Sequence, residues 1–144
     1  MLAAVCGERK ETIAMKYPLG ENERDKITSK TGKKLDDITL DAVKRGDITA
    51  EDIKISKDML RRQGQVAMEA DSAPMARNFE RAAELVDVPD EVILQMYNML
   101  RPNRATKAQL LAMANELSNK YHAKNCAKLV REAAEVYEKR GILL

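Results

Sequence analysis

The stretch from Met75 to Pro102, MARNFERAAELVDVPDEVILQMYNMLRP, constrains this chain more than any other, because it reads as two helices joined at one proline turn. Met75, Phe79, Ala82, Ala83 and Val86 recur three and four residues apart and share one helical face. Arg77, Glu80, Arg81 and Glu84 fall largely outside that stripe. Asp87-Val88-Pro89-Asp90-Glu91 ends the first helix and starts the second. The residue before a proline resists the α conformation, Pro89 suits a first helical position, and two carboxylates complement the new helix's positive end. Val92, Ile93, Met96 and Leu100 are expected to continue the buried face.

Such a pattern needs partners, and the palette for them is aliphatic. With one Phe, four Tyr and no Trp in 144 residues, the core must be built from Leu, Ile, Val, Met and Ala, which suits helices packed on helices. No stretch shows convincing strand alternation and no solenoid repeat is present. The expected fold is all-α: a small multi-helix domain over residues 39–144, led by an irregular extended N-terminal arm over residues 1–38.

Residues 1–15 carry a short apolar start and no clear period. From Lys16 to Asp37, Pro18, Gly20, Gly32 and many charges surround only four scattered apolar residues, Tyr17, Leu19, Ile27 and Leu35. A segment this polar cannot offset its ordering entropy alone, so it is either disordered or laid on another surface. The even spacing of the anchors favours an arm on a partner.

Helical grammar begins at Thr39, an N-cap, with Leu40 and Val43 on one side and Gly46 at the C-terminal end. Thr49 with Asp52 resembles a capping box, and Ser56 starts a longer run in which Leu60, Gly64, Ala67, Met68 and Ala70 make a face of small residues. That face predicts close approach of a neighbour. After Pro102, Thr106 and Gln109 form a second box, and Leu110, Leu111, Ala114 and Leu117 supply the inner face of a helix to about Lys120. Cys126, Leu129, Val130, Ala133, Val136 and Tyr137 keep a helical stripe up to Gly141. Whether the helix breaks near His122 is not decided by the sequence.

The search for chemistry returns little. A zinc site needs three or four ligands at workable spacing, and the chain has one His and two distant Cys. His122 reads as a surface or interface histidine, Cys126 as a small core residue, and Cys6 lies in the leader. There is no GxxxxGK[ST] loop and no GxGxxG. Glu80 with Glu84, and Glu132 with Glu135, read as salt-bridged helix surface. Met68, Met75, Met96 and Met113 sit at helical positions and read as packing. The expected sites are therefore catalytic none, cofactor-binding none and metal none.

A net charge of +2 from 25 basic and 23 acidic residues, interspersed, lacks the basic stripe that a phosphate backbone wants. No apolar run approaches the roughly 20 residues of a membrane span. Two cysteines and no secretory pattern fit a reducing cytoplasm.

KYPL near the start, TGKKLDDITLDAV, ARNFERAAELVDVPDEVILQMYNMLRP, KAQLLAMANEL and LVREAAEVY together resemble the small (gamma) subunit of the adenosylcobalamin-dependent diol and glycerol dehydratases. The likeness runs in order from about Lys16 to Arg140. It implies a heterohexamer of two copies each of a large (alpha), a medium (beta) and a small subunit. Such an enzyme turns propane-1,2-diol into propanal, or glycerol into 3-hydroxypropanal, plus water by a radical rearrangement. It also implies that substrate lies in the large subunit and adenosylcobalamin between large and medium subunits, with the small subunit helical and packed on the large one. No catalytic or cofactor-binding residue carries over to a matched position. The part before Tyr17 is short and not clearly amphipathic, which leaves open whether the chain carries the signal that recruits some members to bacterial microcompartments. The alternatives are a free-standing helical regulator that binds nucleic acid, opposed by charge and scarce aromatics, and an independent small enzyme, which lacks its parts.

Overall fold

The computed structural model describes residues 16–144; the helices from α2 onward follow from the caps and periods of the sequence, while the short α1 lies in the arm expected to be irregular. Among the described residues there are seven α-helices: α1 (Leu19–Asn22), α2 (Leu40–Arg45), α3 (Lys57–Glu69), α4 (Ala73–Leu85), α5 (Asp90–Met99), α6 (Lys107–Asn119) and α7 (Lys124–Arg140). The fold is all-α, as expected; the nearest thing to a sheet is one isolated antiparallel bridge between Thr28 and Lys34.

The caps act as the sequence predicts. Thr39 accepts the Ala42 N–H, Ser56 accepts the Met59 N–H, and Thr106 with Gln109 forms a reciprocal box at the start of α6. Each satisfies backbone donors that a helix start leaves orphaned. At the other ends, Gly46 and Gly141 take the left-handed conformation that closes α2 and α7. α3 closes in the same way, with the Ser72 N–H donating to the Ala67 carbonyl, yet the left-handed residue there is Asp71 at φ 55°. Between α6 and α7 the helix does break. His122 stands in the left-handed region at φ 56°, and the Ala123 N–H turns back to the Leu117 carbonyl at 2.9 Å.

Pro89 differs from the expectation by one step. Pro74 lies inside the first turn of α4, where its missing N–H is no loss, and Pro89 stands at the N-cap of α5 with Asp90 as first helical residue.

The centre of the core is not the Met75–Pro102 stretch but the α6–α7 hairpin that follows it. Leu110, Ala114, Leu117, Ala123, Ala127 and Ala134 are fully buried, with Met113, Cys126 and Val130 almost so. Burying a Leu or Val side chain contributes about 1.5–3 kcal/mol, and alanines let the two helices approach. Leu85, Val92, Met96 and Leu100 lie against this cluster only half-buried, and α5 has no fully buried residue. The Tyr137 hydroxyl donates to the Leu100 carbonyl at 2.6 Å, and the Leu144 N–H to the Ala105 carbonyl at 3.0 Å, so α5 and the C-terminal tail are stapled to the hairpin.

α3 and α4 form a second pair, joined to the hairpin along α4 and α7. The small-residue face of α3 is real: a Cβ on Gly64 would lie 3.2 Å from Cβ of Phe79. Its membership differs from the expectation, since Met59 is buried while Met68 and Ala70 face water. On α4 the inward residues are Ala76 and Ala83, with Phe79 half-buried and Met75 exposed. On α2, Ala42 points inward and Leu40 and Val43 outward; on α7, Leu129 and Val136 lie outside the core. On α2 and α4 the alanines take the inward contact, and the larger Leu40, Val43 and Met75 are left on the flank.

Candidate functional site: an apolar groove on the N-terminal half

Some of the flanking side chains of α3 and α4 gather at one place. Tyr17, Pro18 and Leu19 lie beside Val66 and Ala67 of α3 and Met75 and Phe79 of α4, enclosing an open, apolar groove. A second groove shares Leu19 and Gly20 with the first and is lined by Ile27, Leu35, Ile38, Ile53, Ile55 and Met59. Tyr17 is 75% exposed, Ile53 68% and Met75 52%. Exposed apolar side chains gathered in these grooves make them a candidate interaction surface.

Its walls are held by polar ties. Asp52, buried within the Ala50–Ile53 turn, accepts the Thr31 hydroxyl at 2.7 Å and the Thr49 N–H at 2.7 Å. The Thr31 hydroxyl first, then the Thr49 N–H and hydroxyl, hold its carboxyl down to about 2. Glu23, also buried, pairs with Arg62 of α3 at 3.5 Å and with Lys26 at 3.4 Å. Lys57 at the start of α3 pairs with Asp87 beyond α4, and that cation draws the Asp87 carboxyl below its usual range.

The residues considered for chemistry fall elsewhere and do not converge. His122 is exposed on the α6–α7 turn, and Cys126 is buried at the start of α7, with Cys6 outside the described residues. Burial, and then the neighbouring Glu84, push the Cys126 thiol up to about 12, so it is a neutral core group. Glu132 pairs with Lys128 at 3.8 Å, and Glu80 reaches Arg61 at 4.0 Å, as a salt-bridged surface would. Glu84 departs from that description. Its carboxylate accepts the backbone N–H groups of Asn125 and Cys126, both at 2.9 Å, and so caps α7 from another helix. The sequence signal was indirect: α7 has Ala123 at its N-cap, which cannot cap itself. Among the described residues no group of three or more His, Cys, Asp or Glu could hold a metal, and no helix is long and apolar enough to cross a membrane.

Comparison with known proteins shows which family the chain resembles. The family model described as "Dehydratase small subunit" matches residues 12–144. A propanediol dehydratase small subunit of Salmonella typhimurium is 45% identical over 137 residues, 95% of this chain and 79% of the relative. Another, of Citrobacter freundii, is 48% identical over 124 residues, 86% of this chain and 72% of the relative. With a family model over residues 12–144 and two relatives 45% and 48% identical, the chain belongs to the dehydratase small-subunit family.

Proposed function

We propose that this chain is the non-catalytic small subunit of an adenosylcobalamin-dependent diol or glycerol dehydratase. In this reading it packs on the large subunit within a heterohexamer of two large, two medium and two small subunits. The assembly converts propane-1,2-diol to propanal, or glycerol to 3-hydroxypropanal, with loss of water. It works in the cytoplasm or in a microcompartment within it. The observation that carries the reading is the apolar groove along Tyr17, Leu19 and Met75 in a chain of this family, since a subunit must present a surface that its partner covers.

The chain's own residues are poorly suited to hold the cofactor. Its single imidazole, His122, is exposed on a turn, and no buried side-chain nitrogen or oxygen among the described residues lacks a partner that a ligand might supply. This reading assigns substrate and adenosylcobalamin to the other subunits, as the family resemblance implies. What this chain contributes is mass action: binding only the folded large subunit shifts that subunit toward its folded state.

Coexpression with large and medium dehydratase subunits tests the reading. The expected result is copurification of all three and aldehyde formation from propane-1,2-diol with added adenosylcobalamin, with lower soluble yield when this chain is left out. Failure to copurify, turnover by this chain alone, or an equally soluble and active complex without it would overturn the proposal.

A further inference from the structure

Residues 19–38 form a strap across the helical body, tied to it by several polar contacts: Glu23 pairs with Arg62 of α3 at 3.5 Å, and Thr31 reaches Asp52. Asp52 divides its two oxygens between the two sides. Oδ1 takes the Thr31 hydroxyl of the strap at 2.7 Å, and Oδ2 takes the Thr49 N–H and hydroxyl of the body at 2.7 and 2.9 Å. Beside it the Lys30 N–H donates to the Lys54 carbonyl at 2.9 Å, and Lys33 Nζ donates to the Asp47 carbonyl at 2.7 Å. Thr31 stands in a tight turn closed by the Gly32 N–H on the Ser29 carbonyl. The strap's apolar side chains, Leu19, Ile27, Leu35 and Ile38, are only half-buried, in contrast to the fully buried centre of α6 and α7. A segment with little buried apolar surface opens at lower free energy than the core.

We propose that residues 19–38 open and close as one unit on the helical body, with the Thr31–Asp52 bond as the latch. The strap forms a wall of both apolar grooves, so its opening reshapes the surface that a partner would meet. The latch is asymmetric in cost: losing the Thr31 hydroxyl leaves a buried carboxylate oxygen without its partner, which favours the open form. This inference concerns the chain itself and stands independently of the dehydratase reading.

Native-state hydrogen exchange on the full chain tests it. In the parent, the bonded amides of Ser29, Lys30 and Leu35 should exchange as a group, faster than amides in the middle of α6 and α7. Thr31→Val keeps the shape and removes the hydroxyl; it should speed that group by about tenfold while leaving α6 and α7 unchanged. Thr31→Ser, which keeps a hydroxyl, should restore most of the protection. Three results would overturn the latch: an unchanged strap in Thr31→Val, an equal acceleration throughout the molecule, or strap amides as slow as the core in the parent.

Discussion

The carboxylate of Glu84, on α4, accepts the backbone N–H of Cys126, at the start of α7, at 2.9 Å. One helix thus caps another across the junction of the two pairs of helices. The other oxygen takes the Asn125 N–H at 2.9 Å and its side-chain amide at 2.8 Å, so a single carboxylate satisfies two orphaned backbone donors and sits at the positive end of the helix. Glu84→Ala should cost about 1–2 kcal/mol, the range of a lost N-cap, with Glu84→Gln intermediate because it keeps an acceptor and loses the charge. Urea unfolding of the three proteins checks this, and an Ala variant with the parent midpoint would show that the cap carries no weight.

The same neighbourhood sets a pH dependence. Burial and Glu84 raise the Cys126 thiol to about 12, whereas an unfolded thiol ionises near about 8.5. Between those values the native chain holds a proton that the unfolded chain has released. The contribution is therefore complete below about 8.5 and is lost as pH rises toward 12. Stability of the parent should fall more between pH 7 and pH 10 than that of Cys126→Ala. The difference between the two slopes is the quantity to measure, because lysines and tyrosines titrate in both. Equal slopes would mean that the thiol is not buried as described.

Gly64 offers a conflict of two known effects. Alanine in a helix interior gains about 1 kcal/mol over glycine in propensity, yet its methyl would lie 3.2 Å from Cβ of Phe79 and 3.5 Å from the Ala76 carbonyl oxygen. A Cβ cannot swing away as a side-chain tip can, so α3 and α4 would have to separate. We expect Gly64→Ala to be no more stable than the parent and Gly64→Leu to lose about 1–3 kcal/mol. A clear rise in melting temperature for Gly64→Ala would show that the pair has room to spare.

Asp71 is the opposite case. It occupies the left-handed position closing α3, where glycine avoids the Cβ penalty, and its charge stands at the helix's negative end. Asp71→Gly should raise stability by about 0.5–1 kcal/mol, and Asp71→Asn by less. A loss in thermal unfolding would instead reveal a tie made by the Asp71 carboxylate.

How much of this was legible beforehand follows from the range of the forces concerned. Caps at Thr39, Ser56 and Thr106 and the closures at Gly46 and Gly141 depend on residues three to five apart, and the sequence displays them directly. The α3 face around Gly64 was also legible, because only close packing repays a glycine there. What the periodicity could not rank was the flank against the centre. Met75 and Leu129 lie on apolar stripes like Ala83 and Val130, yet Ala83 and Val130 take the contact and the larger Met75 and Leu129 stay wet. The groove was unreadable for the same reason, although KYPL, which forms one edge of it, carried part of the family resemblance. Glu84 was read as surface because its partner lies 42 residues away, and no local spacing encodes such a cap.

The groove itself gives the sharpest functional prediction. Met75→Glu places a charge on a side chain already 52% exposed, in the first turn of α4, where a carboxylate suits the helix start. The isolated chain should therefore melt within about 0.5 kcal/mol of the parent, as surface substitutions usually do. Assembly should not be so tolerant: if the large subunit covers this groove, the charge must be desolvated in an apolar contact, which weakens association about 30-fold or more. Ile53→Glu on the second groove should act in the same direction, and Leu129→Glu, on α7 outside both grooves, should assemble normally. Pull-down from coexpressed subunits, with melting of each purified chain as the control, reads both quantities. Normal assembly of Met75→Glu and Ile53→Glu, with loss in Leu129→Glu, would move the interface from the N-terminal half to the face of α7.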